Sequence, residues 1–332
     1  MYRGHTVAVV VPAYNEADHV GDVIRSLPSF VDRVYAVDDD STDGTWDTLM
    51  EHGTIERFAD LSAPLDRGPD DEFDVVPIGH FENRGAGGAL KTGYRRALRD
   101  GADVTVAIDA DGQMDPDQMH RLLDPIVDGA AGYAKGDRLA TPESRAAMPP
   151  FRLLGNWILT GLTKVSSGYW GVRDPQNGYT AISREALAAV DLNAVPDDHD
   201  YTNDLLTRLN VAGVRVADVE MDAVYGDESS TISYGGFIPR TSMTLLRSMG
   251  WRLYAQDRPV GSHPLILLYV IGVAIGAVGV GGGVWAAWWT LTGAGQPDAV
   301  GVMALMIVAG LVLLVAIGLD VGRTGTHEVI RR

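Results

Sequence analysis

The chain contains no cysteine, which excludes disulfides and thiolate metal sites. Lysine is nearly absent too: Lys91, Lys135 and Lys164 are the only three in 332 residues. Acidic residues number 44 against 27 basic ones, a formal charge of -17. Such an excess repels itself in dilute salt, which points to a halophile's protein. No basic stripe precedes Arg240, and a polyanionic partner needs one, so nucleic acid is excluded as the expected ligand. A strand pattern begins within six residues of Met1, leaving no room for a signal peptide. The soluble part is therefore expected in the cytoplasm.

Two stretches lack charge altogether. Residues 264–290 and 299–319 hold no Lys, Arg, Asp or Glu, and at about 1.5 Å per residue each is long enough to cross a ~30 Å hydrocarbon core. They predict two transmembrane helices and a lipid bilayer as partner. Arg240, Arg247, Arg252 and Arg258 precede the first span and Arg323, Arg331 and Arg332 follow the second, while the 293–298 connection has no basic residue. Both termini therefore read as cytoplasmic. Gly272 with Gly276, and Gly279 with Gly283, are G-x-x-x-G spacings that let the first span pack on the second or on another subunit as a homo-oligomer. Before the spans, 237–257 mixes Phe237, Leu245, Leu246, Trp251, Leu253 and Tyr254 with arginines, which suits helices lying in the membrane interface.

Ahead of this region, β-branched runs alternate with helical stretches: TVAVVVP, a helix at 17–29, VDRVYAVDD, a helix at 45–52, DVVPI, a helix at 87–99, then VTVAID. That alternation predicts an α/β fold, a mostly parallel sheet with helices on both faces. Residues 56–72, rich in acids with Pro and Gly, read as an exposed insertion. Further on come a helix at 118–128, a strand at 133–136, an amphipathic helix at 145–165, a loop and strand at 175–183, a helix at 201–211 and strands at 214–225. The expected division is a soluble domain over 1–232, juxtamembrane helices over 233–262, the two spans over 263–322 and a tail over 323–332.

In such sheets ligands sit beyond the carboxyl ends of the strands. The first strand ends in PAYNE: Pro12 and the small Ala13 open the strand end, Tyr14 offers a stacking ring and Glu16 accepts hydrogen bonds, although Asn15 as a helix cap accounts for the same letters. The second ends in DDDSTDGT, where three consecutive carboxylates, Asp38 to Asp40, repel one another and call for compensation. A nucleoside hydroxyl or N–H is one such partner. The segment NRGAGGALK fits neither dinucleotide nor Walker patterns. A phosphate site with Lys91 beside it and a tight packing loop explain it equally. In VTVAIDADGQMDP, Asp109 and Asp111 project the same way from an extended chain, as two carboxylates sharing one hard cation must, and Gln113 continues that side.

These four motifs, in this order, resemble the family 2 glycosyltransferases of GT-A fold, and among them the dolichol-phosphate mannose and glucose synthases. The resemblance implies a nucleotide-sugar donor, UDP- or GDP-linked, with Pro12, Tyr14, Glu16, Val37 and Asp39 at the nucleotide. It implies that Asp109, Ala110, Asp111 and Gln113 hold Mg²⁺ or Mn²⁺ and the donor diphosphate. It also implies a dolichyl or polyprenyl phosphate acceptor, gripped by Arg138 and by Arg152 with Asn156 one helical turn on. Arg152 equally fits a residue snorkelling along an amphipathic helix. The Q-x-x-R-W motif of polysaccharide-forming members is missing, and DPQNGYTAIS stands instead. The basic loop common near the end of such domains is replaced by YGDESSTISY, with Arg240 as a substitute.

A phosphate monoester is largely dianionic at neutral pH and attacks without a general base, so a single displacement with inversion is expected; Asp200 and Asp204 are the base candidates if the acceptor is a hydroxyl. Transfer to a glycan or lipid hydroxyl, and nucleotide-sugar binding without catalysis, are the competing readings. If the hairpin holds the site at headgroup depth, a chain ending near Asp257 keeps nucleotide binding in calorimetry and loses turnover on long-chain lipid. Full activity of that shortened chain rules out a role for the anchor.

Overall fold

The computed structural model describes residues 1–53, 73–140, 150–198, 200–221, 234–257, 264–292, 299–324 and 330–331, with side chains from 155 and 241 onward in the segments that begin at 150 and 234. The insertion at 56–72, most of the 225–234 segment and the 293–298 connection lie outside the described residues.

Strand β1 (Val7–Ala13) is buried along almost its whole length, as a strand covered on both faces must be. Its side chains alternate between two cores. Val7, Val9 and Val11 join Leu122 and Leu123 of α4 (Met119–Val127), and Ala8 and Val10 join Leu90 and Tyr94 of α3 (Ala86–Asp100). The approach of α3 is close enough that a Cβ on Gly93 would lie 2.3 Å from Val10 Cγ1, so glycine alone fits there.

β1 pairs in parallel with β2 (Arg33–Asp38) and with β4 (Val104–Ala107), and β3 (Asp74–Gly79) lies parallel beyond β2. Helices α1 (Val20–Arg25), α2 (Thr45–His52) and α3 make the crossovers. On the other side β6 (Thr180–Ser183) runs antiparallel between β4 and β5 (Tyr133–Asp137), and β7 (Val216–Glu220) is parallel to β5. The described sheet, which ends in the short β8 (Ile330–Arg331), has the order β3-β2-β1-β4-β6-β5-β7-β8. Helices α5 (Pro150–Ser167), α6 (Arg184–Ala188) and α7 (Tyr201–Val211) follow in the second half. The mostly parallel α/β sheet expected from the βα alternation is thus present. The tail differs from expectation: β8 (Ile330–Arg331) pairs with β7, so the chain end adds a strand to the sheet.

The chain divides into two compact units, 1–248 with 327–332, and 249–326. The first extends past the expected limit at 232 because α8 (Tyr234–Asp257) begins inside it. Thr241 and Thr244 hydroxyls donate to the Asp200 carboxylate at 2.8 and 3.0 Å, and Ser248 donates to Asp204 at 2.9 Å. These bonds bind the front of an expected interfacial helix to α7. Its opposite side keeps Met243 and Leu246 exposed.

In the second unit α9 (Pro264–Leu291) and α10 (Ala299–Thr324) are both long and apolar enough to cross a membrane. The glycine spacing finds its partner within the hairpin. Cβ atoms built on Gly272 and Gly279 would lie 2.7 Å from Leu313 Cδ2 and Met306 Sδ, and one on Gly276 3.7 Å from Ala309 Cβ. Packing of one span on the other therefore uses this face. Within the same unit the Arg252 guanidinium donates to both Asp320 oxygens at 2.9 and 2.7 Å, with Tyr269 at 3.3 Å. Pairing is what makes two buried charges tolerable here. We expect Gly279→Leu to lower the thermal midpoint of the full chain in detergent, by about 1–3 kcal/mol of overpacking. Gly281→Leu, where nothing lies within 4 Å, should leave that midpoint within error.

Candidate active site

β1 to β4 are mutually parallel, and β5 runs with them because β6 is antiparallel to both neighbours. Their carboxyl ends therefore share one edge, and the loop before β6 arrives at the same edge. The connection order reverses between β1 and β4, the switch point where open α/β sheets bind ligands.

The loops after β1 and β2 are tied together there. Asn15 N–H donates to Ser41 Oγ at 2.9 Å, Thr42 N–H to Asn15 Oδ1 at 2.8 Å, and Glu16 N–H to Thr45 Oγ1 at 2.8 Å. Asn15 has φ +56°, a conformation its short polar side chain tolerates. Helix α1 starts only at Val20, with His19 at its cap position, so Asn15 joins loops and caps nothing. Tyr14 remains about half exposed, its ring open at the strand end beside Pro12 and Ala13.

The three adjacent acids divide their labour. Asp40 is exposed. Asp39 is buried, and its carboxylate accepts from Arg84 N–H at 3.0 Å and Gly85 N–H at 2.7 Å, with His80 Nδ1 at 2.6 Å. Of about four acceptor positions, two thus hold the Gly-rich loop and a third meets His80 just after β3. Asp38 is also buried, and its Oδ1 has no hydrogen-bond partner among the described residues, a state that costs about 1–3 kcal/mol. The Gly-rich segment packs closely: a Cβ on Gly87 would meet Pro196 O at 2.5 Å. Lys91 is buried with its ammonium on Val195 O at 2.7 Å and paired with Asp197. Of the two explanations for this segment, helix packing accounts for its glycines and its lysine.

Asp109 and Asp111 follow β4 as Ile108 and Ala110 turn into the core. Asp111 Oδ1 accepts Gln113 N–H at 3.0 Å. The Asp109 carboxylate accepts no hydrogen bond from the described residues, and burial, then the charge of Asp111, push its pKa up to about 6 against the opposing pull of Arg138. Gly178 lies over it; a Cβ there would come within 3.0 Å of Asp109 Oδ2. A partly buried carboxylate that accepts no hydrogen bond from the described residues, beside a second one, fits a divalent cation. Among the described residues no third Asp, Glu, His or Cys completes a cage, the pattern of a cation whose remaining positions go to water and substrate oxygens.

Arg138, directly after β5, faces this pair electrostatically and is held by Asp174. Its Nε donates to Asp174 Oδ2 at 2.8 Å and its Nη2 to Oδ1 at 3.3 Å, and one third of the side chain stays exposed. Burial tends to raise the Asp174 carboxyl, but Arg138 and Lys135 outweigh it and hold it below the usual carboxylate range. Asn156 is half-buried on α5, while the side chains of Arg152 and Arg240 lie outside the described residues. Asp200 and Asp204 are occupied by the α8 hydroxyls, Asp204 also by Arg208 Nε at 2.5 Å. Asp38 reads in the sequence only as one of three acids in need of a partner; the residues that sequence reasoning passed over are His80, Asp174 and Gly178. DPQNGY carried a signal for the last two, since Asp-Pro and Asn-Gly mark a turn where small residues permit close approach.

A parallel α/β sheet with paired acids at its switch point fits the class of GT-A glycosyltransferases. Residues 8–190 match the family model described as glycosyl transferase family 2, and the chain belongs to that family. It is similar to the UDP-N-acetylglucosamine–dolichyl-phosphate N-acetylglucosaminyltransferase of Methanococcus voltae, 29% identical over 67% of this chain and 87% of that protein. It is likewise 28% identical, over 75% of itself and 95% of its counterpart, to the undecaprenyl-phosphate mannosyltransferase of Micrococcus luteus. The UDP complex of glucosyl-3-phosphoglycerate synthase from Mycobacterium tuberculosis shares the fold, with a TM-score of 0.51 and 23% identity over 74% of this chain and 81% of that one.

The raised Asp109 carboxyl has a sign that can be measured. A folded-state pKa near 6 against about 3.9 unfolded means that protonation favours the folded chain, and the charged form weakens it at neutral pH. Asp109→Asn is therefore expected to melt higher than the wild type at pH 7 in chelator, by about 2–3 kcal/mol from linkage. The gap should close as pH falls from 6 to 4. Equal melting at pH 7 removes the desolvation argument.

Proposed function

We propose that the chain transfers a hexose from a nucleoside-diphosphate sugar to the phosphate of a dolichyl or polyprenyl phosphate on the cytoplasmic face of a membrane, with inversion at the anomeric carbon. The observation that carries this reading is the Asp109–Asp111 pair, in which the Asp109 carboxylate accepts no hydrogen bond from the described residues, with the Arg138 guanidinium close enough to act on it. Demand for a cation and provision for an anion meet at one place.

Pro12, Ala13, Tyr14 and Glu16 line the nucleoside end; the Val37 side chain is packed in the core and the Asp39 carboxylate holds the Gly-rich loop, which leaves these two the role of shaping the strand end beneath it. Asp109, Asp111 and Gln113 would hold Mg²⁺ or Mn²⁺, with Ala110 beside them at the donor diphosphate. A bound cation supplies charge stabilisation for the departing nucleoside diphosphate. Arg138, with Arg152 and Asn156 on α5, receives the acceptor phosphate and sets its line of attack. A dianionic phosphate needs no base, consistent with Asp200 and Asp204 being spent on α8. Both relatives named above carry a lipid phosphate in their names, which supports the acceptor class.

The membrane side of the proposal rests on chain geometry. Two helices leave from 249 and return by 326, and β8 then rejoins the first unit. An even number of crossings puts both ends of the hairpin on one side, and the flanking arginines make that side cytoplasmic. The expected test is radiolabelled sugar transfer to dolichyl phosphate in nanodiscs. Wild type should label the lipid, and Asp111→Ala should reduce the rate by at least about a hundredfold, the scale of lost electrostatic stabilisation. Label appearing on a glycan and never on the phosphate replaces this function with a hydroxyl transfer; no label on either replaces it with donor binding alone.

A further inference from the structure

We infer that Asp174 is a positioning residue for the acceptor: it fixes the Arg138 guanidinium in the orientation that receives the lipid phosphate. The inference rests on the function proposed above and deepens it.

The geometry is that of a clamp with a rigid base. Asp174 is buried, and it holds Arg138 by the Nε–Nη2 edge and by the backbone N–H at 3.3 Å. A two-point contact of this kind fixes the plane of the guanidinium, where a single contact fixes only its distance. Asp174 itself is immobilised from three sides. Its carbonyl accepts from the buried Lys135 ammonium and from Asn177 N–H at 3.2 Å. Its neighbour Arg173 donates its N–H to Asp218 at 2.8 Å, and Arg173 O accepts from Thr160 of α5 at 3.2 Å. Lys135 and Asp218 stand opposite each other in the β5–β7 register, 3.6 Å apart. The result is a ladder of buried charges, Asp218, Lys135 and Asp174, that ends on the partly exposed Arg138.

A stability role alone explains this poorly. Apolar residues of similar volume would hold the strands at least as well as buried ions. What ions add is direction. An arginine whose rotamers are already frozen loses less entropy when a phosphate arrives, and the phosphate meets it in line with the donor site. The segment that bears Asp174 also bears Gly178 against Asp109, so one loop sets the Arg138 side and the Asp109 side of the site together.

The test compares kinetics of the full chain in nanodiscs with undecaprenyl phosphate as acceptor and, as donor, whichever of UDP-N-acetylglucosamine, UDP-glucose and GDP-mannose the wild type uses. Asp174→Asn keeps the shape and removes the charge; it should raise KM for the acceptor about tenfold and leave KM for the donor within about twofold. Asp174→Glu should recover part of the loss. Arg138→Lys, which keeps the charge and loses the fork, should match Asp174→Asn. In an Arg138→Ala background, Asp174→Asn should add nothing to the acceptor KM, the coupling expected of one unit. An unmoved acceptor KM in Asp174→Asn overturns the inference, as do additive effects in the double variant. A fall in melting temperature with both KM values rising together also overturns it, since that is the signature of a structural ion pair. Absence of transfer to undecaprenyl phosphate by the wild type overturns the proposed acceptor and this inference with it, whereas transfer by the wild type with either overturning pattern removes the inference alone.

Discussion

Everything at the site depends on one constraint, the burial of both faces of a parallel sheet. Such strands admit almost no polar side chain along their length, and β1 with its run of valines obeys that rule. Apart from the paired Lys135 and Asp218 inside β5 and β7, polar chemistry is then concentrated at strand ends, and parallel pairing brings those ends to one edge. Asp38 and Asp39 at the end of β2, Asp109 after β4 and Arg138 after β5 share that edge for this reason, though a hundred residues separate the first from the last. The antiparallel β6 feeds its preceding loop into the same edge, which is how Asp174 and Gly178 arrive.

The acids at this edge fall into two groups. Asp39, Asp174, Asp200 and Asp204 are buried and hydrogen-bonded, and each holds another element: the Gly-rich loop, Arg138, or α8. Asp38 and Asp109 are different, with an oxygen or a whole carboxylate that accepts nothing from the described residues. Folding alone gives no reason to leave a desolvated acceptor unpaired. A ligand that brings a donor or a cation does, and sites tuned for function commonly sacrifice stability in this way.

The second unit follows a separate logic. Over 264–290 and 299–319 its helices lack the charge that dominates the rest of the chain, and glycines on one face bring them together. The buried Arg252–Asp320 pair shows the same economy of ions as the sheet edge: charge removed from water is kept only where a partner meets it with good geometry.

The α/β class, the two apolar helices and the acid motifs at strand ends were legible in the sequence, because period-2 and period-3.6 patterns and apolar length are local properties. The pair Asp109 and Asp111 was legible too, since two-residue spacing past a strand sets the direction of both side chains. What each charged group touches was decided only by tertiary structure. Lys91 looked suited to a phosphate and instead closes on Val195 and Asp197; Asp200 looked like a base and instead anchors Thr241 and Thr244. Asp174, 36 residues beyond Arg138, had no local pattern to announce it. The physical reason is that hydrogen bonds and ion pairs act over about 3 Å in space, and the distance between two residues along the chain says nothing about that separation until the sheet has set its strand order.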